Sequence, residues 1–81
     1  MKIIDVISLD YNGSNESHNL HRTIEAAVEE TERLIGAGHE KVRAEFVDEE
    51  KFSKEALRLV GTGTPCHLYK RKDGKYGVTR K

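Results

Sequence analysis

Cysteine occurs once in this sequence, at Cys66, so no disulfide can form within the chain and its stability has to come from packing. Proline also occurs once, at Pro65, and tryptophan is absent. No apolar run approaches the roughly 18 residues needed to cross a bilayer, and Met1-Lys2-Ile3-Ile4-Asp5 carries neither the apolar region nor the cleavage site of a signal peptide. The expectation is a soluble, cytoplasmic protein with no membrane partner.

What is present suits one small core. A chain of 81 residues is short for two domains, and its 36% hydrophobic and 35% charged composition is that of a globular surface around a modest interior, so residues 1–81 read as a single domain. Fourteen basic and fourteen acidic residues cancel overall but not locally. Residues 1–40 set Lys2, Arg22 and Arg33 against eight acids, whereas residues 65–81 set Lys70, Arg71, Lys72, Lys75, Arg80 and Lys81 against Asp73 alone. The molecule is therefore expected to be electrically polarised.

The nearly continuous apolar run Ile3, Ile4, Val6, Ile7, Leu9 predicts a strand covered on both faces. Tyr11 to Asn19 is rich in Asn, Ser and Gly and reads as a turn, with Ser17 or Asn19 placed to cap a helix. From Leu20, the positions Ile24, Ala27, Val28, Thr31, Leu34 and Ile35 form a stripe at helical spacing that ends at Gly36 and Gly38. Val42, Ala44 and Phe46 then alternate with Arg43 and Glu45 as in a half-buried strand, which makes a right-handed βαβ unit the expected first half.

Asp48 is placed to cap a shorter helix whose Phe52, Ala56, Leu59 and Val60 share a face, with Gly61 as its terminator. Cys66 to Arg71 and Tyr76 to Thr79 flank Asp73-Gly74, the signature of a two-residue hairpin turn. The expected architecture is an α+β two-layer sandwich in the order β-α-β-α-β-β, with a four-stranded mixed sheet and two helices.

The run Phe46-Val47-Asp48-Glu49-Glu50, the short helix after it, Thr64-Pro65, the extended Cys66-His67-Leu68-Tyr69 and the Asp73-Gly74-Lys75 turn together resemble the thioredoxin-like fold. The resemblance implies a cis bond before Pro65 and a peptide-binding surface around Thr64 and Pro65, with the loop from Asn12 to His18 nearby. The sequence departs from that family in two respects. Its loop reads Asn12-Gly13-Ser14-Asn15-Glu16-Ser17-His18 where the family carries Cys-x-x-Cys, and no closing helix follows the hairpin. Dithiol exchange is thereby excluded, and the resemblance implies a binding module.

Candidate chemistry is sparse. Cys66 beside His67 suggests an activated thiol, but neighbours on a strand point to opposite faces, and Cys66 reads better as a core residue. His18 and His21, three apart at a helix start, would share a face, with His39, Cys66 or His67 available to complete a zinc shell, yet no second paired motif accompanies them. Gly61-x-Gly63 lacks the lysine and helix of a phosphate loop. Glu25, Glu29, Glu30 and Glu32 read as a solvated helix face.

The most distinctive surface is the hairpin, where Tyr69, Lys70, Arg71, Lys72, Lys75 and Tyr76 interleave aromatics with cations. In the register of a two-residue turn, Arg71 faces Tyr76 and Tyr69 faces Val78, which puts the tyrosines on one face. The binding residues expected from sequence are thus Thr64, Pro65, Tyr69, Lys70, Arg71, Lys72, Lys75 and Tyr76, with no catalytic residue, metal or cofactor. The leading expectation is a non-enzymatic protein-interaction or regulatory module, whose open sheet edge leaves room for a homodimer. The alternatives are a nucleic-acid binder using the basic hairpin and a small enzyme with an unrecognised thiol or metal site.

Overall fold

A computed structural model describes residues 2–9 and 16–80. Five strands form one sheet: β1 (Lys2–Leu9), β2 (Glu16–His21), β3 (Glu40–Asp48), β4 (Cys66–Lys70) and β5 (Tyr76–Arg80). Helix α1 (Ile24–Gly36) lies between β2 and β3. A 3-10 turn at Glu49–Lys51 and helix α2 (Lys54–Leu59) lie between β3 and β4. The sheet order is β3-β1-β2-β4-β5, and every neighbouring pair is antiparallel.

This corrects the four-stranded mixed sheet in β-α-β-α-β-β order. The difference is β2, whose Glu-Ser-His-Asn-Leu-His sequence has one apolar residue and so no apolar alternation to reveal it. Its side chains find polar partners on both faces instead. Because β2 inserts a chain reversal before α1, β3 returns antiparallel to β1, and the expected βαβ unit does not form. Of the loop expected from Tyr11 to Asn19, residues 11–15 lie outside the described residues, and 16–19 belong to β2.

Adjacent residues of β1 point to opposite sides of the sheet, and each side carries a helix, so the layers are α1, sheet, α2 rather than the expected two. Ile4 and Val6 pack with Ala27 and Leu34 of α1, while Ile3 packs with Leu20 of β2 and with Phe52 and Ala56 of the α2 segment. On the α2 side Leu68, Tyr76 and Val78 extend this core into the hairpin, where the Phe52 and Tyr76 rings lie 5.8 Å apart.

The helix boundaries follow their caps. Thr23, not Ser17 or Asn19, caps α1 by accepting from the Ala26 N–H at 3.2 Å, and α1 ends before Gly38, whose φ of 88° turns the chain. Ser53, not Asp48, caps α2 by accepting from the Ala56 N–H at 3.2 Å. Asp48 instead pairs with Lys2 at 2.8 Å, and this lysine holds its carboxyl below the usual range.

The hairpin pairs Lys70 with Tyr76, Tyr69 with Gly77 and Leu68 with Val78, one residue away from the two-residue register. Its loop is Arg71–Lys75. It is closed by the Arg71 N–H donating to the Lys75 carbonyl at 2.8 Å and by the Asp73 carboxylate accepting from the Lys75 N–H at 3.0 Å. The shift puts Tyr76 on the packed α2 side and Tyr69 on the other, where its ring covers Gly77 so closely that a Cβ there would meet it at 2.5 Å.

Candidate functional site

The residues expected to bind do not form one site. Thr64 and Pro65 sit in the connector before β4 with a trans peptide bond between them, and Thr64 donates its N–H to the Thr62 hydroxyl at 3.2 Å. In the hairpin, Arg71 is committed to Glu55 and Asp73 at 3.6 and 3.4 Å, whereas Lys70, Lys72 and Lys75 make no ion pair among the described residues. The hairpin edge is also partly closed. Phe52 bridges to Tyr76, and the Ser53 N–H donates to the Tyr76 carbonyl at 2.9 Å, which occupies the first outward position of β5.

The histidines and the cysteine scatter as well. A strand, unlike the expected helix start, sends His18 and His21 to opposite faces. His39 meets the Ser8 hydroxyl at 3.3 Å, and His67 Nδ1 meets the Glu16 carbonyl at 3.0 Å. Among the described residues no three potential metal ligands converge. Cys66 is fully buried, and burial, helped by the negative charge of Asp5, pushes its pKa up to about 11, so the thiol is held protonated.

Sequence reasoning missed two polar clusters. On the α2 side, Asp5 accepts from His18 Nδ1 at 2.9 Å, and His18 Nε2 stands 3.4 Å from Glu16, which also meets Arg43 at 3.3 Å. These four side chains, with Glu45 and Tyr76, line a cleft of about 260 Å³. Burial pulls the His18 pKa down, but the hydrogen bond to Asp5 and the charges of Asp5 and Glu16 together outweigh it, so the net shift is upward from 6.5. Both His18 nitrogens are engaged with carboxylates, which makes it a poor general base.

On the α1 side, the buried Glu30 carboxylate accepts from Asn19 Nδ2 at 3.1 Å and from Arg33, with His21 Nε2 4.0 Å away. Glu30 is therefore not part of a solvated face. It sits at the helical spacing of Ala27 and Leu34, and that spacing was the available signal. The neighbouring cleft, about 450 Å³ and lined by Arg22, Glu29, Arg33 and Gly61, is the larger of the two. The free atoms Asn19 Oδ1 and His21 Nε2 are sealed from solvent, so a molecule in that cleft cannot reach them.

The remaining surface is apolar. The helical stripe read from the sequence divides in two. Ala27 and Leu34 are buried with Glu30, whereas Ile24, Val28 and Ile35 are 61%, 48% and 60% exposed. Phe46 of β3, expected to be half-buried, is 62% exposed on the strand that forms the sheet edge. Ile24, Val28, Thr31, Ala44 and Phe46 border one shallow groove of about 100 Å³ between helix and edge strand. The Thr31 hydroxyl is already satisfied, donating to the Ala27 carbonyl at 2.8 Å.

Comparison with protein-family models, curated proteins and solved structures found no match.

Proposed function

We propose that this chain is a non-enzymatic protein-interaction module whose docking surface is the β3 edge together with the exposed stripe of α1. The observation that carries this reading is the gathering of Ile24, Val28 and Phe46 around one groove at β3, the sheet edge among the described residues. Scattered exposed apolar residues are ordinary, but a contiguous group beside free backbone donors and acceptors suits a partner that adds a strand and buries side chains. The polar clusters support a binding role over a catalytic one, since their acids and bases are engaged with one another. This reading places the docking surface at the opposite end of the sheet from the hairpin and from Thr64 and Pro65.

The test is photo-crosslinking in cells with p-benzoylphenylalanine at position 46, against the same group at position 72. An adduct formed at 46 and not at 72 supports the reading. Silence at 46 removes it.

A second reading rests on Tyr69, 52% exposed in a hairpin that also carries Lys70 and Lys72, which make no ion pair among the described residues. An exposed ring among cations suits a single-stranded nucleic acid. Titration with labelled oligonucleotides at low salt tests it, and absence of binding there eliminates it.

A further inference from the structure

Resting on the reading of the β3 edge and α1 stripe as a docking surface, we infer that its occupant is a second copy of this chain, joined by antiparallel pairing of β3 with β3 about a two-fold axis at Ala44.

The sequence of β3 is self-complementary about that residue. In antiparallel pairing centred on Ala44, Arg43 faces Glu45 of the second copy, Val42 faces its Phe46, and Ala44 faces itself. The two-fold axis repeats each pair, so two ion pairs form on the α2 side of the sheet and two apolar pairs on the α1 side. Moving the axis by one residue to Glu45 sets Arg43 against Val47 and Val42 against Asp48, and both complementarities are lost. The ladder also has a built-in end. Between Ile7 and Leu9 the pairing of β1 with β3 slips by one residue, and Lys41 there adopts a φ of 51°. Such a bulge confines regular pairing to Val42–Phe46, so Glu40 and Asp48, which would meet as like charges, stay outside it.

The helices fit the same axis. Ile24, Val28, Thr31 and Ile35 are spaced i, i+4, i+7, i+11 and fall within about 60° of arc on α1. Ile24, Val28 and Thr31 border a groove with Phe46, so this arc faces the β3 side. A two-fold axis at the edge sets α1 antiparallel to its copy, with the two apolar arcs turned toward each other. Helix α1 lies over β1 and β3 alike. With strands about 4.8 Å apart, two helices so placed are roughly 10 Å from each other, the spacing of packed helices. A charged, bulged edge is a common protection against aggregation, but protection does not call for four large apolar side chains beside it.

Light scattering over a concentration series tests the inference, with folding checked by circular dichroism. The wild-type chain should have twice the monomer mass. Arg43→Glu and Glu45→Arg should each weaken the dimer by roughly tenfold or more, since each sets like charges face to face twice, and the double variant should recover it. As a second measurement independent of these charges, Ala44→Cys in a Cys66→Ser background should form an intermolecular disulfide under oxidised glutathione, because only a residue on the axis meets its own copy within disulfide range. A monomer at every concentration, or a dimer indifferent to the charge reversals and uncrosslinked at position 44, overturns the inference. If the position-46 adduct carries a different protein while the chain is monomeric, the docking surface stands and the second copy falls.

Discussion

Asp5 and His18 are hydrogen-bonded at 2.9 Å across β1 and β2 without being direct partners in the ladder, since Asp5 faces Leu20 and His18 faces Ile7. The diagonal contact is within reach of a long side chain, and it joins the buried Asp5 carboxylate, costly to leave alone, to the partly buried His18.

This pair makes stability depend on pH in a stated direction. The folded-state pKa of His18 is raised above 6.5, so its contribution is fully present below about pH 6.5 and is lost as pH climbs through the raised value. The melting-temperature gap between wild type and His18→Gln should therefore be wider near about pH 5.5 than near about pH 8.5. An equal gap at both would mean the imidazole acts only through shape.

Cys66 should be inert in the native protein. Its thiol is inaccessible and its pKa is raised to about 11, mainly by burial, so modification by iodoacetamide at neutral pH should proceed only as fast as the molecule unfolds and become complete in denaturant. Rapid native-state labelling would contradict the buried position.

The two phenylalanines should behave oppositely. Phe52 is 2% exposed and packs against Ile3, Leu20 and Tyr76, so Phe52→Ala should cost about 3–5 kcal/mol in urea denaturation, a large part of a small domain's stability. Phe46→Ala, measured at concentrations low enough to keep the chain monomeric, should change stability by no more than about 0.5 kcal/mol.

Ser53→Ala should remove the cap of α2 at a cost of about 0.5–2 kcal/mol, measurable by the same denaturation. Asp48→Ala should leave α2 unaffected, because Asp48 makes no cap and its salt bridge to Lys2 is exposed.

The elements most visible in the sequence were those with strong apolar patterning. β1 showed itself through its unbroken run and α1 through its stripe, and Gly61 marked the end of α2 with a positive φ of 78°. β2 did not, because a strand stabilised by Asp5, Glu30 and backbone pairing has no hydrophobic period. The hairpin was found but its register was not, since Asp73 caps Lys75 and so enlarges the loop. The apolar surface was present as residues but not as a surface. Periodicity assigns Ile24, Val28 and Ile35 to an apolar face without saying that the sheet beneath them ends at β3.

Strand β1 has β3 on one side, β2 on the other, and a helix over each face, and its Ile3–Ser8 segment is buried throughout. Its amide protons consequently meet water only when the whole molecule comes apart, so deuterium uptake at Ile4 and Val6 measures the global free energy of unfolding rather than any local opening.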